Sequence, residues 1–351
     1  MFTWSENPYQ DMWNHLRVFA QPKNVEKLLF NQLGYQDHYP VGYKYDSTDT
    51  VVSKAKQVAM CIRQADEYFQ AAEVVTITTS PLLLFYGVSS LSKALIVARR
   101  PEIQLTDINY HGLDTRPKSS AMKNYQKNSN KWELEKEYAY VNQGVFTEFC
   151  QSLLTHEFEN GTLFKFKSLL KMYPEISELY QRYYGEPAPI LYASSLQEKN
   201  DPYILSFTSD TKHRLEENVF PELDILFKIR GNDRSRNFVS KELTGFPKEI
   251  GYFSPYVGGN YIVRGVEYQV TGKIEVRYCH PAAVDFIGLF ILSSCVRYKQ
   301  LLWRSLIEGH AVGSLGIILP YVQTIRRRFP NFILDYLTGE KHDYGTPGRW
   351  V

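Results

Sequence analysis

Two apolar runs of this chain carry polar residues that could do chemistry. SPLLLFYGVSSLSKALIVARRP, from Ser80 to Pro101, holds Ser89, Ser90, Ser92 and Lys93, and PAAVDFIGLFILSSCVRYKQLLWRSLIEG, from Pro281 to Gly309, holds Ser293, Ser294 and Arg297. In each run a serine, Ser90 or Ser294, precedes a cation by three residues, a spacing that puts both on one helix face. Small residues let helix backbones approach closely, so Lys93 and Arg297 are expected to share one protected neighbourhood. A cation amid an apolar helix is costly to desolvate. Each must therefore reach solvent, meet an acid such as Asp66, Glu67 or Asp285, or hold an anionic ligand.

Other residues offer themselves for chemistry. Arg304 and His310 are spaced as R-x5-H near the end of the second run. Six residues advance about 600° along a helix, leaving the two side chains roughly 120° apart, so they converge only if the helix breaks, as it could at Gly309. The plainer reading is a dipole-capping arginine and a surface histidine. His111 sits in a Tyr-His-Gly-Leu turn, where it either makes ordinary turn hydrogen bonds or serves a site held by rigid helices. Lys228, Arg230, Arg234, Arg236 and Lys241 gather within fourteen residues. They form a solvated loop or a set of phosphate contacts blind to base sequence. Cys279-His280-Pro281 reads as a structural junction, and Arg326 to Arg328 as cations closing a helix.

Several chemistries are excluded. Val270-Thr-Gly-Lys273 lacks the glycine and hydroxyl spacing of a phosphate loop, no G-x-G-x-x-G opens a helix, and no H-E-x-x-H occurs. The four cysteines stand far apart without a C-x-x-C pair, so reduced thiols are expected, with no metal and no cofactor. Ser90-x-x-Lys93 matches the S-x-x-K of penicillin-binding enzymes, but Ser90 falls within a helix and neither S-D-N nor K-T-G is present. A net charge of +2 gives no global field for nucleic acid, so any such site must be a local patch. The amino terminus lacks a leader pattern, and serines and Lys93 interrupt the first apolar run, so a cytoplasmic protein without a membrane span is expected.

The 351 residues, 44% hydrophobic, suffice for a large core. The expected fold is mainly α (α+β): helices over 1–187, a small antiparallel β-rich insertion over 188–280, and helices over 281–351 completing a bundle. Ser80 is expected to cap its helix, with Pro81 in the first turn. ILYASSL, PYILSFTS, EIGYFSPYV and NYIVRGVEYQV read as strands, with KIRGNDRSRNFVSK a loop among them. Gly185 reads as a helix C-cap.

The first apolar run, with IRQADEYFQAA before it, HGL at His111 to Leu113, GVF at Gly144 to Phe146, and LFILSSCVRYKQLLW, resembles the YaaC-like family of bacterial cytoplasmic proteins. The likeness spans roughly Trp13 to Asp335 and departs where proline is expected after Arg297-Tyr298, since Lys299-Gln300 stands there. That family implies no particular activity. Arg304 and His310 are also similar to the signature of HEPN domains, helical bundles that often act as metal-independent ribonucleases when two protomers pair. In that chemistry His310 moves a proton and Arg304 stabilises charge on the phosphate. The expectation is a protein that binds RNA or a nucleotide, with RNA cleavage by a homodimer as the extension of that reading, and with Lys93, Arg297, Ser90, Ser294, His111, Arg230, Arg234 and Arg236 as ligand contacts. The competing expectation is a non-enzymatic regulator or scaffold that binds a protein partner.

Overall fold

The computed structural model describes residues 2–31, 47–115, 133–153, 157–197, 204–207, 227–230, 237–240, 248–253, 260–308 and 314–345. The first half runs β1 (Phe2–Trp4), α1 (Pro8–Val18), α2 (Pro22–Asn31), α3 (Ser47–Val74), α4 (Ser80–Arg99), β2 (His111–Asp114), β3 (Tyr138–Gly144), α5 (Val145–Ser152), β4 (Leu163–Lys165), α6 (Phe166–Leu170) and α7 (Ser177–Tyr184). Next come strands β5 (Ile190–Gln197), β6 (Ile204–Phe207), β7 (Phe227–Arg230), β8 (Asn237–Ser240), β9 (Ile250–Phe253), β10 (Asn260–Arg264), β11 (Val266–Val270) and β12 (Lys273–Arg277). The chain closes with α8 (Pro281–Tyr298), α9 (Gln300–Ile307), α10 (Ser314–Thr338) and β13 (Asp343–Gly345). The class is the expected one, mainly α with antiparallel sheet.

The two apolar runs are the centre of the core. By length and hydropathy α4 and α8 could each cross a membrane, but 78% and 83% of their apolar windows are buried inside the fold. Helix α4 packs along α3, and α8 and α10 pack against α4 in turn. Two glycines allow the close approaches. A Cβ on Gly87 would lie 2.6 Å from the Phe69 ring of α3, and one on Gly288 would lie 1.6 Å from the Tyr321 hydroxyl of α10.

The strands form a six-stranded sheet in the order β7-β8-β6-β5-β10-β9 and a five-stranded sheet in the order β12-β11-β4-β3-β2. Strands are thus not confined to 188–280, because three short ones from the first half complete the second sheet. NYIVRGVEYQV, expected as one strand, divides at Gly265 between the two sheets. A Cβ there would lie 2.1 Å from the Arg277 backbone, which makes Gly265 the corner where the chain changes sheet. KIRGNDRSRNFVSK is not a free loop at its ends, because β7 and β8 pair antiparallel with Arg230 opposite Asn237.

The helix boundaries shift in three places. Helix α4 begins at Ser80 itself, with Thr79 at the cap position making no side-chain bond. The late apolar run breaks at Lys299, which ends α8 and precedes α9, its ammonium paired with Glu137. Arg326 to Arg328 do not close a helix, since α10 continues through Pro330 to Thr338. Gly185 closes α7 in the left-handed conformation at φ 68°, as expected. The chain ends meet, with β1 and β13 pairing in parallel.

Candidate anion site between the two apolar helices

His111 is placed by the HGL and GVF stretches acting on each other. It lies on β2, not in a turn, opposite Gly144 beside an irregularity in the β2–β3 register. The Val145 amide donates to the Tyr110 carbonyl at 2.8 Å. Gly112 and Gly144 adopt φ of +78° and +146°, and a Cβ on Gly144 would come within 2.4 Å of the Tyr110 carbonyl oxygen. Positive φ and the absence of a Cβ are both required, so only glycine fits. The imidazole then stands edge-on to Phe85 of α4 at 5.2 Å and 6.2 Å from Phe290 of α8.

Lys93 and Arg297 lie close enough for their charges to act on this ring. Burial lowers the pKa of His111, and the charges of Arg297 and then Lys93 lower it further. The Arg297 guanidinium lies over the Tyr298 ring at 4.9 Å and 6.0 Å from the Phe85 centroid. Its Nε donates to the Ser293 carbonyl at 3.3 Å. On the other side Lys93 lies near Cys61 of α3, whose thiol burial pushes up to about 11 while the Lys93 charge opposes the rise. Two helices distant in sequence thus bring two half-buried cations to one histidine.

None of the acids expected as partners reaches them. Asp66 pairs bidentately with Arg17, with Nε to Oδ2 at 2.8 Å. Asp285, fully buried, is held by Arg328 and by the Tyr173 hydroxyl at 2.5 Å. Among the described residues neither Lys93 nor Arg297 has a carboxylate within ion-pairing distance. The serines behave differently from one another. Ser90 donates to Gln64 Oε1 of α3 at 3.2 Å, a lateral tie between helices. Ser294 is buried with its Oγ unpartnered among the described residues, while Arg297 turns back to Ser293, not to Ser294. Two half-buried cations without a carboxylate partner among the described residues are chemistry suited to an oxyanion.

The remaining candidates are not gathered here. Arg304 is an exposed residue of α9 paired with Glu308 at 2.6 Å, one turn on. His310, Arg234 and Arg236 lie outside the described residues, and Arg230 lies on β7. The sequence reading missed Gln64, Phe85, Phe290 and Tyr298. Gln64 stands within the quoted IRQADEYFQAA, but nothing in its spacing marks it.

Fold and site together define a mainly α protein whose two apolar core helices carry cations to a strand-borne histidine. The chain belongs to the YaaC-like family, whose model matches residues 19–337. No curated protein and no solved structure matches it.

Proposed function

We propose that this protein binds a phosphate-bearing ligand, RNA or a nucleotide, at a site made by Lys93, Arg297 and His111. One observation supports the reading: two half-buried cations, neither with an ion-pairing carboxylate among the described residues, lie close enough to His111 for their charges to lower its pKa. An anion there offsets the mutual repulsion and the burial that lower the His111 pKa, so binding favours the imidazolium and strengthens as pH falls. The HEPN likeness extends this proposal to metal-independent RNA cleavage by Arg304 and His310 in a symmetric dimer.

The test is fluorescence polarisation with a labelled RNA oligonucleotide, competed with AMP and with sulfate. Lys93→Met and Arg297→Met are each expected to weaken binding by about tenfold, the loss of one charge-assisted contact. Sulfate, whose charge is constant over the range, is expected to compete better at pH 6 than at pH 8. His310→Ala leaves binding intact and removes cleavage if the chain is a ribonuclease. Wild-type protein that binds none of the three probes refutes the reading and favours the non-enzymatic regulator.

A further inference from the structure

A cleft of about 420 Å³ opens where the two ends of the described chain meet. That volume falls in the range of small-molecule sites. Val18, Phe19, Leu28 and Leu334 give it an apolar wall. His15 and His342 stand in its lining with ring centroids 6.0 Å apart. The His15 Nδ1 is bonded to the Tyr344 hydroxyl at 2.7 Å, which fixes the His15 ring.

His342 is built as half of a carboxylate–imidazole pair. Its Nδ1 and its backbone amide both meet Asp335 Oδ1, at 3.0 and 2.8 Å, and the side chain is only 8% exposed. Asp335 is therefore engaged already, and its carboxyl is pushed above the usual range by burial, against the pull of His342. The other ring nitrogen, Nε2, has no protein partner among the described residues. At the rim stand Lys27, which makes no ion pair among the described residues, and one acid, Glu340. Lys341 and Asp343 next to His342 pair with each other at 3.4 Å. The cleft thus joins a hydrocarbon surface to groups that favour a single negative charge.

We propose that this cleft binds a small carboxylic acid with an apolar body, its carboxylate held by Nε2–H of His342 and by Lys27. The hydrocarbon lies along Val18, Phe19, Leu28 and Leu334. In the complex His342 stands between two carboxylates, that of Asp335 at Nδ1 and that of the ligand at Nε2, so that both ring nitrogens are engaged by charge-assisted hydrogen bonds.

The experiment is calorimetric titration of the full chain with octanoate, with octanamide as the uncharged body and acetate as the bare head group. Octanoate is expected to bind, and both controls to bind at least about tenfold more weakly, since each lacks half of the contacts. Val18→Trp, an exposed position on the wall, is expected to fill the cleft and abolish binding. His342→Gln is expected to weaken octanoate by at least about tenfold. If that variant does not fold, Lys27→Ala at the exposed rim carries the charge test. Octanoate that fails to bind, octanamide that binds as well, or a Val18→Trp protein that binds unchanged overturns the proposal. Lys93→Met leaves octanoate binding unaltered, so the outcome is independent of the phosphate site.

Discussion

Asp285 and Arg328 tie α8 to α10 through the middle of the core, and replacing Arg328 with methionine tests what that tie contributes. Arg328 Nε and Nη2 reach the carboxylate at 3.1 and 2.5 Å, its guanidinium lies 4.0 Å from the Tyr173 ring centroid, and Glu175 stands 3.7 Å from Nη1. Both members of the pair are almost completely buried, at 0% and 2% exposure. Arg328→Met fills much of the volume but leaves Asp285 with the Tyr173 hydroxyl alone. Breaking a buried pair from one side costs about 3–5 kcal/mol, because the surviving charge is desolvated without compensation. Burial already pushes the Asp285 carboxyl up, with Arg328 opposing the rise. In the variant the opposition is gone, so the folded-state pKa lies well above that of the unfolded chain. A raised carboxyl pKa gives stability that is full below the unfolded value and lost as pH rises toward the folded value. Urea unfolding at pH 7 is therefore expected to show the full loss. Between the folded-state pKa of wild type, itself raised by burial, and the higher one of the variant, the variant recovers, relative to wild type, by about 1.4 kcal/mol for each unit the pH falls. The double variant Asp285→Leu, Arg328→Met removes both charges and is expected to lie within about 1 kcal/mol of wild type. A single variant that loses less than about 1 kcal/mol, or a double variant no better than the single, refutes the argument that this pair is held by mutual compensation.

Two further predictions follow from the junctions that position the site. His280 accepts the Ala282 amide on its Nδ1 at 3.2 Å, capping α8, and burial, helped by the Arg328 charge, lowers its pKa to about 3. The unfolded chain takes up this proton near pH 6.5 and the folded chain near 3, so stability falls through that window, by at most about 5 kcal/mol in all. His280→Asn keeps a cap acceptor and is expected to match wild type at pH 8 while resisting acid better in thermal unfolding scans. Gly144→Ala forces an L side chain into φ of +146° against the Tyr110 carbonyl. About 2–3 kcal/mol of stability should be lost in urea, together with sulfate affinity, because the displaced backbone carries His111. Full sulfate affinity in that variant would show that the β2–β3 corner does not position the histidine.

Legibility in the sequence followed the range of the interaction. The runs at Ser80 and Pro281 are long, apolar and punctuated by proline, so local pattern sufficed to place them as core helices. The packing of α4 against α8 was readable too, because the small residues in both runs mark a close approach between helices. Strands β2 and β4 were not legible, since segments of four and three residues carry no period and exist only through partners found far along the chain. Arg326 to Arg328 read as the end of a helix, and packing carries α10 past them through Pro330 to Thr338. His111 was singled out as a turn residue, and its actual place depends on a pairing with Gly144, far along the chain.

By itself the sequence determined the helical class, the two buried spines and the presence of two cations that had to find an answer to desolvation. Which acids answer which cations was decided only by the tertiary structure. Asp66 and Asp285 were both within plausible reach on neighbouring helices, and helix rotation gave one to Arg17 and the other to Arg328. Charge pairing acts over a few ångströms and depends on the rotation of each helix about its axis, which is set by the packing of the whole core. The composition of either helix alone carries no record of it.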